Sequence, residues 1–310
     1  MSSLVSAILP QFFLIVSGTV LRGLKSFPAS FWSGLEAMVY YVLFPPFLFL
    51  SVYRAKFNFE SSARFLAIAI GCMFSAMILS WLINQLYEES AWTKWSVFHC
   101  GFRFNTYIGF AVCQPLLGNE GLALLSLLIA IWVPISNTVA VITLSYASES
   151  RSKFCFSGLL KTVVKNPLIL ATLSGLFCNV LAIPLPNLLM TLLNHLGGSA
   201  LSLGLLCIGA GLTFGDFKKY KKLIALCSIE RLILVPLAAF VVAVILLSNP
   251  LEACVLILFA SLPTAQSCYV MTSKMNGNGA AVADLSSAQT LFSIVTLSFW
   301  VALMTKFFLS

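Results

Sequence analysis

FRFNTYIGFAVCQP, residues 102–115, lies within an apolar run of membrane-spanning length and yet carries Arg103, Asn105, Thr106, Gly109, Gln114 and Pro115 within a few turns. Packing does not call for that much polarity. A lipid-buried helix satisfies its own backbone, so a polar or proline interruption is tolerated only where protein or a water-filled cavity can satisfy the freed groups. The stretch therefore marks a broken helix beside a cavity. A second one, ASLPTAQS at residues 260–267, places Pro263, Thr264, Gln266 and Ser267 in the middle of another apolar run. Ser, Thr, Asn and Gly also glue ordinary transmembrane helices together, and proline kinks occur without transport. The pairing of the two interruptions is what points to a solute site. Broken helices direct half-helix N-termini, with their partial positive charge, at the midplane, which favours an anionic or carbonyl-bearing solute.

Working outward, the 310 residues are 60% hydrophobic and 9% charged, too little polar surface to coat a water-soluble globule of this size. Breaks at charges, Gly, Pro and Asn divide the chain into runs at about Leu4–Leu21, Ser30–Tyr53, Phe65–Tyr87, Trp95–Leu117 and Leu122–Tyr146, then Asn166–Ile183, Asn187–Leu212, Leu223–Leu247, Leu251–Met275 and Ala280–Lys306. Each matches a hydrocarbon core of roughly 30 Å at a rise of 1.5 Å per residue. The expectation is an all-α polytopic membrane protein of ten transmembrane helices. It divides into a first five-helix repeat (residues 1–146), a basic cytoplasmic linker (147–165) and a second repeat (166–310). The first run has no basic n-region or cleavage site and reads as a retained helix. Five spans per half make the second repeat enter from the opposite side, an inverted repeat. Laying Asn119 of Gly118-Asn119-Glu120-Gly121 on Asn278 of Gly277-Asn278-Gly279 brings Asn105-Thr106 over Thr264-Ala265, a faint internal match. With both termini outside the cytoplasm, twelve Lys and Arg fall in cytoplasmic loops against four outside, although Arg54 to Arg64 runs against that bias. A multi-pass cell membrane location follows, inner or plasma membrane.

A net charge of +8 is explained by this loop bias, so nucleic acid is rejected as a partner and the lipid bilayer takes its place. The nine cysteines form no CxxC pair and no His stands at zinc-ligand spacing, so they read as small buried hydrophobes and no metal site is expected. Pro45-Pro46 removes two backbone donors from the second span and predicts a kink or opening there, a hinge as readily as a ligand contact. Charge in hydrocarbon is a functional signal by default. Glu36, Glu230, Arg231 and Asp284 nevertheless lie within about two turns of an expected helix end, where side chains reach headgroups. Arg103 lies deeper and could attract an anion or pair with Asp284; His99 and His195 read as packed or interfacial. Glu36, Asp284 or His195 could carry a coupled proton.

Several segments together resemble the auxin efflux carrier family, including its short bacterial members described as malate or organic-acid permeases. They are FFLIVSGTVLRG, MVYYVLFPPFLFLS, NTYIGF, KNPLILATLSGLFCNVLAIPLP, GLLCIGAGL, SLPTAQSCYV and SSAQTLFSIVTLSFW, in order along nearly the whole chain. The resemblance implies two inverted five-helix repeats with broken crossover helices 4 and 9, the plan shared with NhaA-type and bile-acid-symporter-like carriers. It also implies elevator-type movement of the crossover past a fixed support. Carried over by position, the crossover polar residues are Asn105, Thr106, Pro263, Thr264 and Gln266. Where the family commonly has Gly-x-Pro after Asn-Thr, this chain has Gly109-Phe110-Ala111, with proline only at Pro115, which leaves the break point of span 4 open.

The function expected is secondary transport, efflux by the resemblance, of a small organic anion such as a dicarboxylate or an auxin-like weak acid. Gly109, Pro115 and Pro263 would permit the breaks. No GxxxxGK[ST] loop exists, so transport would draw on an ion gradient or the membrane potential, and no cofactor is expected. HExxH and GxSxG are absent, which argues against an intramembrane hydrolase. A sodium-coupled bile-acid-type symporter, a channel or a membrane sensor are the alternatives, and a homodimer is left open.

Overall fold

A computed structural model describes residues 2–56, 59–147, 166–213, 215 and 217–309, so most of the expected linker lies outside the described residues. All regular structure among these residues is helical, apart from one isolated antiparallel bridge between Phe104 and Thr264. The first half contains α1 (Ser2–Arg22), α2 (Ala29–Met38), α3 (Phe44–Tyr53), α4 (Phe59–Gln85), α5 (Ala91–Phe98) and α6 (Thr106–Ala147). The second contains α7 (Pro167–Val180), α8 (Asn187–Gly198), α9 (Ala200–Gly211), α10 (Lys221–Ile229), α11 (Val235–Leu246), α12 (Pro250–Ala260), α13 (Ser267–Lys274) and α14 (Gly279–Phe308). Among the described residues, six continuous stretches are long and apolar enough to cross a membrane: Ala29–Tyr53, Ser62–Gln85, Thr106–Ser145, Asn187–Gly211, Lys221–Leu246 and Gly279–Phe308. Shorter apolar helices run over Ile8–Arg22, Pro167–Val180 and Pro250–Ala260.

Proline chemistry shapes the joints. Between α2 and α3 the chain widens into a π turn, Val39–Leu43, immediately before Pro45 and Pro46 in the first turn of α3. Neither proline has an N–H to give, and each ring would clash with the carbonyl four residues back in a regular α turn. The wider turn accommodates both, so the helical run continues through the prolines without opening. A second π turn, Glu230–Leu234, precedes Pro236 in α11 in the same way.

α6 is not a single rod. At 1.5 Å per residue its 42 residues would run about 63 Å, twice the hydrocarbon thickness. Gly118, at φ 64° and ψ −163°, breaks it. That conformation is open to glycine and closed to most L-residues, so the loop expected over residues 118–121 is compressed into one turn. The span-4 helix therefore passes through Pro115 and turns only at Gly118; Pro115 is exposed inside α6 and is not where the span breaks.

α1 packs on α9 through glycine. A Cβ on Gly209 would lie 1.7 Å from Ile15 O, and one on Gly18 would lie 2.1 Å from Leu206 O. That approach lets Thr19 Oγ1 donate to Gly209 O at 2.8 Å and Arg22 Nη1 to Ala210 O at 2.6 Å. At the far end of α3, Asn179 of α7 donates from Nδ2 to the carbonyls of Tyr53 and Ala55, each at 2.8 Å, and so covers carbonyls that the helix end leaves free. α12 runs through the middle of the core, buried at every position from Glu252 to Ala260.

Candidate functional site where two broken helices cross

The two polar stretches meet. After α5 a short 3₁₀ turn, His99–Gly101, leads through a turn at Phe102 into non-helical backbone at residues 103–105 before α6 starts at Thr106. α12 ends at Ala260, and α13 starts at Ser267. The causes of the two breaks differ. Pro263 has no N–H and pushes the residue before it out of the helical region. On the other side no proline stands within residues 99–105, and the break ends at Asn105, whose Oδ1 accepts from Ile108 N at 3.3 Å as the cap of α6. Antiparallel pairing joins the stretches: Phe104 bridges to Thr264, and Asn105 N donates to Pro263 O at 2.8 Å.

Side chains satisfy the backbone freed by these breaks, as a site at membrane depth requires. Trp132 Nε1 donates to Phe102 O at 2.9 Å. Gln289 of α14 accepts through Oε1 from Thr264 N at 3.1 Å and lies 2.6 Å from Thr264 Oγ1, while its Nε2 donates to Cys227 O at 3.2 Å. Thr264 Oγ1 is also 2.8 Å from Cys100 O, so its single proton serves one of two acceptors at a time. Gln266 accepts from Ser286 Oγ at 3.2 Å and is half-buried, as is Thr106. Gly109 lets α6 lie on the crossing, since a Cβ there would come within 2.7 Å of Leu262 Cδ1.

Against this satisfied background two groups stand out. Asn105 is 2% exposed, and its Nδ2 has no hydrogen-bond partner among the described residues. Arg231, in the π turn of the span formed by α10 and α11, is 0% exposed. Its Nε, Nη1 and Nη2 have no hydrogen-bond partner among the described residues, and its guanidinium lies 4.9 Å from the ring centre of Phe104, over the crossing. The sequence reading placed Glu230 and Arg231 among residues that reach headgroups; burial overturns this. Glu230 is 2% exposed and accepts from Ser80 Oγ of α4. The signal available was their place near the centre of Lys221–Leu246, which end-counting undervalued.

The remaining candidates scatter. Arg103 does reach the crossing, but it is not paired with Asp284. It donates from Nη2 to Ser267 Oγ at 3.2 Å and places Nη1 3.6 Å from both Cys268 Sγ and Met271 Sδ. Among the described residues the only ion pair is the exposed Lys222–Glu88, at 3.7 Å. Asp284 accepts from Gly215 N at 2.8 Å and anchors the loop after α9. Glu36 is exposed on α2, and Pro45 and Pro46 belong to the α3 joint. His99 is fully buried, not interfacial, with Nε2 3.0 Å from Thr272 Oγ1. A separate cleft of about 210 Å³ has Arg54, Gln114, Asn119 and Asn194 on its walls. Gln114 stands roughly 14 Å along α6 from Asn105, so the cleft is a different place from the crossing.

The family described as membrane transport protein, that of the auxin efflux carriers, matches residues 3–301. The chain belongs to this family. It is a multi-pass membrane transporter. Among curated relatives, a protein of Methanothermobacter thermautotrophicus named an uncharacterized transporter is 25% identical over 292 residues, which cover 93% of this chain and 94% of the relative. One from Rhizobium meliloti named a putative malonate transporter is 24% identical over 286 residues, 87% of this chain and 86% of the relative.

Proposed function

We propose that this transporter is a secondary carrier of a small organic anion that binds where the two broken stretches cross. The observation carrying this reading is Asn105 Nδ2, a buried amide donor at the N-terminus of α6 without a hydrogen-bond partner among the described residues. A helix N-terminus favours negative charge, and that of α13 begins close by on the other strand of the crossing. A carboxylate there would accept from Nδ2. Arg231, buried and without hydrogen bonds behind Phe104, adds a positive potential that a bound anion would offset. Malonate, the small dicarboxylate in one relative's name, fits that chemistry. Thr106, Thr264 and Gln266 complete the polar rim, with Thr264 and Gln266 set by α14.

In this reading the chain crosses the membrane ten times as two inverted five-helix repeats. Support comes from counting α2 with α3, α5 with the first part of α6, α8 with α9, α10 with α11 and α12 with α13 as single crossings, and from dividing α6 at Gly118. Both termini lie outside the cytoplasm by the charge bias of the loops. The crossing moves past its support as an elevator, driven by an ion gradient or the membrane potential. The cleft beside Arg54 serves as an anion-attracting vestibule.

The test is uptake of radiolabelled malonate and malate into proteoliposomes under imposed proton, sodium or potassium-diffusion gradients, comparing wild type with Asn105→Ala and Thr264→Ala. Saturable flux that falls in both variants at malonate concentrations below the wild-type KM is expected. Undiminished flux in both would remove the crossing as the binding site, and failure of the wild type to move any organic anion would remove the substrate class.

A further inference from the structure

The crossing gathers a second set of chemical groups that the transport reading does not use. A ring nitrogen of His99, the Sγ of Cys100 and the Sγ of Cys268 lie within 4.8 Å of one another, and all three residues are fully buried. His99 and Cys100 stand in the 3₁₀ turn after α5, whereas Cys268 stands in the first turn of α13. Both thiols are free. His99 Nε2 faces the Thr272 hydroxyl at 3.0 Å, and Nδ1 has no hydrogen-bond partner among the described residues. When Nε2–H donates to Thr272, Nδ1 carries a lone pair without a proton, the usual arrangement in which an outer hydrogen bond sets the tautomer of a metal-binding imidazole.

We infer that His99, Cys100 and Cys268 form a binding site for a soft monovalent cation, copper(I) or its analogue silver(I). Metal–sulfur bonds of about 2.3 Å and metal–nitrogen bonds of about 2.0 Å place donors roughly 3.7 to 4.0 Å apart in a trigonal site, so these three need close by less than about 1 Å. Two thiolates and an imidazole are a soft donor set. The thioether of Met271 lies 3.6 Å from the same Arg103 Nη1 as Cys268 Sγ, which makes it a fourth soft donor at the edge of the group. Charge selects the monovalent ion. Binding breaks two S–H bonds and releases two protons, with no change of oxidation state, and leaves a complex of charge −1 beside the Arg103 guanidinium. A divalent zinc ion would form a neutral complex, leave Arg103 uncompensated and still need a fourth ligand of the nitrogen, oxygen or thiolate kind, which the Met271 thioether is not. The bound ion would tie α5 to α13 and hold the crossing together. This inference does not rest on the identity of the transported anion.

The experiment is anaerobic titration of the detergent-purified full chain with copper(I) against bicinchoninate as competing chelator, with X-ray absorption of the bound metal. One equivalent with sulfur and nitrogen ligands is expected in wild type. Affinity should fall about 100-fold or more in Cys100→Ser and in Cys268→Ser, fall less in Met271→Leu, and be unchanged in Cys72→Ser, a buried thiol outside the group. His99→Gln supplies a variant that leaves both thiols in place, should either serine variant fail to fold. Binding that is equal in wild type and the Cys100→Ser/Cys268→Ser double variant overturns the site. Tighter binding of zinc(II) than of copper(I), each measured against its own chelator, overturns the monovalent assignment.

Discussion

Replacing Asn105 separates two jobs that one side chain performs. Its Oδ1 caps α6 by accepting from Ile108 N, and its Nδ2 points a free donor into the crossing. Serine keeps a good capping oxygen but has no amide nitrogen, while alanine removes both. A hydrogen bond to a charged group is worth about 1.5–3 kcal/mol, which converts to a weakening of roughly tenfold to 150-fold in binding. Losing the cap costs about 1 kcal/mol of stability. Asn105→Ser and Asn105→Ala should therefore raise KM for malonate in proteoliposomes by a similar factor in that range, and only Asn105→Ala should lower the Tm in detergent. A wild-type KM in Asn105→Ser would refute the reasoning, because the residue would then serve the helix cap and not the solute.

Gly209→Val should separate α1 from α9: the new Cβ would meet Ile15 O at 1.7 Å, so the backbones must part by roughly 1.8 Å to reach ordinary contact, at a cost of about 1–3 kcal/mol or more. A Tm equal to wild type would show that the contact is looser than drawn. Gln289→Leu leaves Thr264 N–H buried without its acceptor and should destabilise by about 1–3 kcal/mol, read as a Tm drop that Gln289→Glu partly restores. The double variant Glu230→Gln/Arg231→Leu should abolish anion flux while keeping or raising stability by up to about 4 kcal/mol, since it removes buried charge. Flux at the wild-type rate would exclude Arg231 from anion attraction.

The sequence by itself determined that the solvent is lipid, that the structure is helical, and which two stretches interrupt their helices. These properties are local. Composition decides the solvent, run length decides which segments are long enough to cross, and Pro263 removes a backbone donor whatever its neighbours are. Asn105, Thr106, Thr264 and Gln266 were legible for the same reason, as polar residues where hydrocarbon would not tolerate them unaided. Tertiary structure alone decided the rest. The sequence left the break point around Asn105 to Pro115 open; the chain stays helical at Pro115, and the asparagine cap at Asn105 and the Gly118 turn make the divisions. Arg231 looked like a residue near a helix end until packing against Phe104 placed it in the core. The His99, Cys100 and Cys268 group has no spacing signature, since its third member stands 168 residues from the second and joins it only where the broken helices cross. Periodicity and propensity act over a few turns, whereas the charge balance of a buried site is set by whichever distant residues the fold brings within a few ångströms.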